Sequence, residues 1–183
     1  VITSVAPDHL DIYGTFEAVR EAFGQFAGLV RPNGHIILKR GVDIDLPAEG
    51  VSVWRYSCDG PCDFHAANMR PAGGGYYDYD IMTPSGAVGG CRTGVPGWVN
   101  VENSVAAVAA VWCAAQARGE AFDHDAVRRA LASFEGVKRR FEFYVNTPRQ
   151  VYMDDYAHHP EELEAAIRSV RGMFPARKLT AVF

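Results

Sequence analysis

Apolar and polar positions in the first forty residues follow the order strand, loop, helix, turn, strand. Residues 1–5 are a β-branched apolar run, and residues 7–14 are polar and predict a loop. Apolar side chains then recur at helical spacing and predict a helix that Thr15 can cap: Phe16, Val19, Phe23, Phe26 and Val30. A turn at residues 32–34 ends this helix, and residues 35–38 predict the next strand. Such a βαβ unit predicts an α/β fold with a mostly parallel sheet.

The rest of the chain continues with strand and helix patterns. Residues 63–70 and 76–82 predict two strands joined by a turn, because the glycine run between them lacks the Lys-Ser/Thr ending of a phosphate loop. Residues 100–118 predict a helix that is apolar around most of its circumference and therefore buried. The other predicted elements are a strand at 51–57, a helix at 123–134, a strand at 150–153, a helix from Pro160 and a strand at 178–183.

A basic connector at residues 135–140 predicts a domain boundary, with a first domain at 1–135 and a second at 136–183. Both ends of the chain lie inside apolar runs of strand type, and interior strands of an α/β sheet need neighbours. We therefore expect a piece of a longer enzyme, with further sequence on both sides.

Composition narrows the class of protein. The chain has 183 residues, 48% of them hydrophobic, and a formal charge of −4, which argues against a general nucleic-acid binder. Its longest apolar stretch, residues 105–115, is shorter than the roughly 20 residues that span a bilayer, and no secretory signal opens the sequence. Cys58 and Cys62 bracket a turn without a matching second pair, which argues against a structural zinc site. A reducing cytoplasm is the expected location.

Polar clusters follow two of the predicted strands, where α/β enzymes keep their sites. The first contains Asp8, His9 and Asp11, whose carboxylates and imidazole can hold a divalent cation. A histidine would be a minor member of a magnesium shell. The alternative is a polar loop in which Asp8 accepts hydrogen bonds from backbone N–H groups.

The second cluster, residues 154–160, precedes a predicted helix. A carboxylate here can accept from two ribose hydroxyls, and a helix start beside a histidine favours phosphate oxygens. His159 or Asp155 could instead cap the helix. A metal-dependent hydrolase that uses Asp8, His9, Asp154 and His158 is a further alternative.

A third cluster, residues 94–103, is a glycine–proline loop that enters the long helix. Asn100 can cap that helix, whereas Asn103 lies a turn inside it and its amide can read an adenine edge. The run Lys138-Arg139-Arg140 is, by itself, typical of a solvated linker.

Four segments in this order resemble the Mur ligases, ATP-dependent amide-forming enzymes of peptidoglycan synthesis: ITSVAPDHLDIYGT, GVPGWVNVENSVAAVAA, SFEGVKRRFEFY and DDYAHHPEEL. The first and last look more like the branch that adds L-alanine to UDP-N-acetylmuramate than like the branches that add later residues. The resemblance implies the later part of an ATPase-like central domain, followed by the start of a Rossmann-like C-terminal domain.

The resemblance also implies roles for single residues. His9 matches a magnesium ligand, Asn103 the asparagine that contacts adenine, and Arg140 an arginine that approaches the nucleotide. Asp155 matches the ribose-binding aspartate and His158 a neighbouring residue of the nucleotide site. One departure is residue 99, a valine where the family usually has histidine.

The implied reaction transfers the γ-phosphoryl group of ATP to the muramyl carboxylate, and the amine of L-alanine then attacks the acyl phosphate. The phosphate loop, the metal-binding glutamate and the residues that orient L-alanine should lie outside these 183 residues. We therefore expect no ligase turnover from this polypeptide alone. A recycling ligase that attaches a preformed tripeptide to the same UDP-sugar is the nearest alternative.

Overall fold

A computed structural model describes residues 1–47 and 49–182 of the chain. These residues form two compact units. Unit 1 comprises Val1–Ala67, Ile81–Ala87 and Val105–Asp123, and unit 2 comprises Asn68–Asp80, Val88–Ser104 and the chain from His124 onward.

The secondary structure is of mixed α/β type. Its elements are, in order, α1 (Leu10–Tyr13), α2 (Phe16–Gly28), β1 (His35–Lys39), β2 (Ser52–Ser57), β3 (Phe64–Pro71), β4 (Tyr77–Thr83), β5 (Gly86–Cys91), α3 (Trp98–Arg118), α4 (His124–Ala132), β6 (Glu142–Asn146), β7 (Val151–Asp154) and α5 (Pro160–Met173). Five strands pair in the order β1-β2-β3-β4-β5, and β6 pairs with β7 in a separate sheet. No helix among the described residues has the length and apolar character needed to cross a membrane.

The parallel βαβ arrangement predicted for the first forty residues is confirmed in unit 1. Ile2 forms a parallel bridge with Leu38, and β1 pairs in parallel with β2 over its whole length. The Thr15 side chain caps α2 by accepting from the Ala18 N–H, as its position before the amphipathic run predicts. Apolar side chains of the bridge segment, α2, β1 and the loop after β1 make the core of this region: Ile2, Ala27, Ile36, Leu38 and Ile44.

Three aromatic rings of unit 1 hold the buried half of α3 against β2 and β3. Trp54, Phe64 and Trp112 lie in edge-to-face pairs with centroids 5.0–6.0 Å apart. The Trp112 indole N–H also donates to the Ser85 hydroxyl at 2.7 Å. Edge-to-face ring pairs stabilise packing by more than the area they bury. These contacts therefore help to fix the position of α3 on β2 and β3.

In unit 2, the end of α5 packs on the turn between β3 and β4. Gly75 has φ +81°, and a Cβ atom there would lie 2.1 Å from the Met173 side chain. The Arg168 guanidinium lies 5.8 Å from the Trp98 ring centroid at the start of α3. Gly75 therefore allows both the left-handed backbone of the turn and the close approach of the end of α5.

Two strand predictions are wrong in part, for a common reason. Within residues 1–5 only Ile2 makes a bridge, and residues 178–182 form no strand; Phe183 lies outside the described residues. An apolar β-branched run becomes a strand only where a neighbouring backbone completes its ladder. The short α1 lies in the predicted loop, and β5 and β6 were not predicted.

Candidate functional site

Arg140 lies in a tight turn with unusual backbone geometry. Both neighbours, Arg139 and Phe141, have left-handed φ values of 58° and 50°. The Tyr156 N–H donates to the Arg139 carbonyl at 2.7 Å, which ties the turn to the loop after β7. Non-glycine residues in this region cost free energy and persist only where surrounding contacts hold them. The turn is therefore held by its contacts, and Arg140 closes it by donating its backbone N–H to the Val137 carbonyl at 3.1 Å.

The Asp155 carboxylate links this turn to the loop after β7, and the Glu142 carboxylate accepts from the Arg139 N–H at 2.9 Å. One oxygen, Oδ2, accepts from the Phe141 N–H at 3.1 Å, and Oδ1 accepts from the Ala157 N–H at 2.9 Å. The Arg140 guanidinium lies 3.9 Å from Oδ1, and the Asp155 side chain is only 14% exposed. An ionised carboxylate offers about four acceptor positions, so two remain for a ligand hydroxyl.

His158 and Glu162 complete the cluster on the other side of Arg140. The Glu162 Oε1 atom lies 3.9 Å from the Arg140 guanidinium, and Oε2 lies 3.4 Å from His158 Nδ1. His158 Nδ1 is 3.0 Å from the Tyr156 carbonyl, which can only accept, so this nitrogen carries the proton. The Tyr156 ring lies 5.8 Å from the Arg140 guanidinium carbon. Arg140, Asp155, Tyr156, His158 and Glu162 are called the arginine cluster below.

The start of α5 is capped by a side chain and carries two acidic residues in its first turn. The His159 side chain accepts from the Glu161 N–H at 3.4 Å, with Pro160 as the first helical residue. This confirms the capping alternative for His159. Glu161 and Glu162 place two negative charges in the first turn, where they interact favourably with the helix dipole. Beside this helix start, Arg140 carries a permanent positive charge that a phosphate would meet.

Asn100 and Asn103, in the first turns of α3, differ in their surroundings. The Asn100 side-chain amide donates to the Pro96 carbonyl at 2.7 Å, so it holds the glycine–proline loop. Asn103 is exposed, and among the described residues no hydrogen bond or ion pair joins it to the arginine cluster. Its amide is available to a ligand, whereas the amide of Asn100 is used.

A cavity of about 600 Å³ lies beside the turn, within unit 2. Its lining includes Tyr76, Val95, Lys138, Arg140, Phe141 and Phe174. Gly94 permits the loop to pass close to α4, because a Cβ atom there would lie 2.2 Å from the Phe134 carbonyl oxygen. The cavity therefore combines aromatic surface with cationic groups. On β6 nearby, the Glu142 carboxylate raises the pKa of the Tyr144 phenol above its ordinary value.

His9 lies in unit 1, at the start of α1, in a left-handed conformation with φ 53°. Asp8 Oδ1 accepts from the His9 N–H at 2.7 Å, and Asp8 Oδ2 lies 3.6 Å from His9 Nε2. Asp8 thus accepts from a backbone donor, as the polar-loop alternative predicts. Within residues 1–47 and 49–182, no group of three or more His, Cys, Asp or Glu side chains could hold a metal. The four residues of the hydrolase alternative therefore form no such group within the described ranges.

The sequence analysis proposed three members of the arginine cluster, Arg140, Asp155 and His158. It did not propose the other two, Tyr156 and Glu162. A signal for Glu162 was present, since a glutamate at the third helical position commonly accepts from a backbone N–H just before the helix. This position does not reveal the second contact, to Arg140, because that residue comes from a different element.

Comparison with known proteins identifies the family. The model of the Mur ligase middle domain matches residues 1–111, and that of the Mur ligase glutamate ligase domain matches residues 139–183. A UDP-N-acetylmuramate–L-alanine ligase of Parabacteroides distasonis is 41% identical over 100% of this chain and 38% of its own length. The chain therefore spans less than two fifths of this relative.

Solved structures agree in fold. MurF from Acinetobacter baumannii aligns with a TM-score of 0.69 and 22% identity, over 91% of this chain and 35% of that chain. A complex of FPGS with AMPPCP aligns with a TM-score of 0.74 and 19% identity, over 95% of this chain and 43% of that chain. With a middle-domain match over more than half of its length, this chain belongs to the Mur ligase family.

Proposed function

We propose that this chain is part of an ATP-dependent ligase that joins L-alanine to UDP-N-acetylmuramate through an acyl phosphate in peptidoglycan synthesis. The observation that carries the proposal is similarity along the whole chain to ligases of that name, 41% identical in one case. The arginine cluster supports it independently, because it offers a guanidinium beside a carboxylate with free acceptor positions. We place the boundary between the two ligase domains at residues 135–136.

In this proposal the nucleotide is bound chiefly by side chains of unit 2. Arg140 supplies positive charge and N–H donors to phosphate oxygens, and His158 contacts the nucleotide beside it. The unused acceptor positions of Asp155 take ribose hydroxyls, and the Asn103 amide pairs with the adenine edge. Held in this way, the transferred phosphoryl group meets the muramyl carboxylate in a fixed orientation, which is where most of the catalysis of phosphoryl transfer arises.

Magnesium fits the donors at His9 only as a partial shell. One imidazole and one neighbouring carboxylate, 3.6 Å apart and both partly exposed, leave room for waters and phosphate oxygens, which Mg²⁺ prefers. Asp8 and His9 would hold the ion, and the ion would offset the negative charge that accumulates on the phosphates during transfer.

The complete protein that carries this sequence tests the function. Phosphate release should require ATP, UDP-N-acetylmuramate and L-alanine together, and the 183-residue chain alone should release none. Release that depends on a tripeptide and not on L-alanine would assign the recycling activity instead. Release of phosphate from ATP that no UDP-sugar stimulates would refute the proposal.

A variant pair tests the adenine contact. Asn103→Ala should raise the KM for ATP about 5- to 30-fold, since two neutral hydrogen bonds contribute about 1–2 kcal/mol. The matched control is Gln116→Ala, which removes an exposed amide farther along the same helix. Equal KM values in the two variants would remove Asn103 from the nucleotide site.

A further inference from the structure

Glu162 lies between Arg140 and His158 in the arginine cluster. Its Oε2 accepts from the His158 N–H at 3.2 Å and lies 3.4 Å from His158 Nδ1. Its Oε1 lies 3.9 Å from the Arg140 guanidinium. The two oxygens of one carboxylate therefore face two residues that come from different parts of the chain.

Helix capping explains only one of these contacts. A glutamate at the third helical position commonly accepts from a backbone N–H before the helix, and Oε2 does so at His158. This capping hydrogen bond uses Oε2 and does not determine where Oε1 points. Oε1 nevertheless faces the Arg140 guanidinium. Asp155 approaches the same guanidinium from its other terminal nitrogen, also at 3.9 Å. Two carboxylates thus bracket Arg140.

The two carboxylates beside Arg140 affect its conformation, because the backbone alone does not determine where this long side chain points. The side chain is 49% exposed and rotates about several bonds, and binding a ligand requires that this rotational freedom be lost. Two carboxylates and the Tyr156 ring restrict it before a ligand arrives. Preorganisation of this kind increases affinity by reducing the ordering that binding requires.

We propose that Glu162 is a positioning residue of the nucleotide site, which acts through Arg140 and His158 without touching the nucleotide. This inference rests on the proposed function, in which Arg140 and His158 face ATP. Glu162 holds the Arg140 guanidinium and the His158 imidazole at a fixed separation, and its contribution is to the binding of ATP and not to the chemistry of the amide bond.

The expected size of the effect follows from the exposure of the pair. The Arg140 and Glu162 side chains are 49% and 38% exposed, so solvent screens their attraction. Double-mutant cycles give such pairs a fraction of a kcal/mol up to about 1 kcal/mol, which corresponds to roughly a two- to fivefold change in affinity. A loss much larger than this would indicate direct contact with the nucleotide.

Steady-state kinetics on the complete protein test the inference. Glu162→Gln keeps an oxygen for the His158 N–H and removes the charge that faces Arg140, so the KM for ATP should rise two- to fivefold with kcat and the KM for L-alanine unchanged. Glu162→Asp should restore part of the ATP affinity. The matched control is Glu161→Gln, which removes the same charge from the same helical turn, and its KM for ATP should stay within 1.5-fold of wild type.

The possible outcomes separate this inference from the function on which it depends. A wild-type protein without ligase activity refutes the proposed function. An active wild type with equal KM values for ATP in the Glu162→Gln and Glu161→Gln variants refutes the positioning role and leaves the function intact. A fall in kcat alone also refutes it.

A second measurement uses the 183-residue chain and needs no turnover. The NMR order parameter of the Arg140 Nε–H group reports how far its side chain is restrained. It should decrease in Glu162→Gln and stay unchanged in Glu161→Gln. Equal order parameters in both variants would show that Glu162 only caps α5.

Discussion

Removal of the Asp155 carboxylate tests whether this side chain holds the Arg139–Phe141 turn in place. The change is Asp155→Ala. It leaves the N–H groups of Phe141 and Ala157 without the acceptor that each now has at 3.1 and 2.9 Å. The Asp155 side chain is 14% exposed, so water replaces the lost oxygens only in part.

The expected cost is about 2–4 kcal/mol. A hydrogen bond to a charged acceptor contributes about 1.5–3 kcal/mol to stability. Two such bonds to one partly exposed carboxylate are coupled, so their joint contribution is smaller than the sum of the separate values. Amide hydrogen exchange measures this locally, because a loss of 2 kcal/mol in opening free energy speeds exchange about thirtyfold. The Phe141 and Ala157 amides should show at least that acceleration, read by NMR at constant pH and temperature.

The adjacent carboxylate provides the control. Asp154→Ala removes the same charge from the preceding residue, which accepts neither of these two hydrogen bonds. Its effect on the two amides should be less than threefold. Exchange rates in Asp155→Ala that match those in Asp154→Ala would refute the argument and leave Asp155 with a ligand-binding role only.

Two further predictions concern stability. Gly75→Ala should lower the free energy of unfolding by about 1–3 kcal/mol in urea titrations, since an alanine there adopts a left-handed backbone and meets Met173 at 2.1 Å. Met173→Ala in the same chain should recover part of that loss, and no recovery would show that backbone strain alone is responsible. Burial raises the pKa of the Cys113 thiol to about 11 from 9.0, so the folded state keeps a proton that the unfolded state releases. Stability should therefore be complete below pH 9 and fall between pH 9 and pH 11, and Cys113→Ala should flatten that slope; parallel slopes would contradict the assignment.

Local patterns predicted the elements whose residues interact with near neighbours in sequence. Thr15 before an amphipathic run predicted the capped start of α2, and Pro160 predicted the start of α5. In both cases the capping interaction spans no more than three residues, and its geometry follows from residue type. The same reasoning predicted α3, because a helix that is apolar around most of its circumference is stable chiefly inside a hydrophobic core.

Contacts between distant segments were not predictable in this way. Nothing in the residues around Arg140 indicates that Asp155 accepts from the Phe141 N–H, or that Tyr156 donates to the Arg139 carbonyl. Those bonds depend on how β6 and β7 pair, including an irregularity between residues 143 and 145 that shifts their register. Resemblance named Arg140 and Asp155, but not that they contact each other.

The three indoles of the chain are distributed so that each compact unit carries its own optical reporter. Trp54 and Trp112 lie 5.0 Å apart in unit 1, and the Trp54 N–H donates to His35 Nδ1. Trp98 belongs to unit 2, where a guanidinium covers its face. Emission from a protein with Trp98 replaced by phenylalanine would report the surroundings of Trp54 and Trp112 in unit 1, and the difference from wild type would report those of Trp98 in unit 2. Intrinsic fluorescence thus gives a separate signal for each unit in one unlabelled chain.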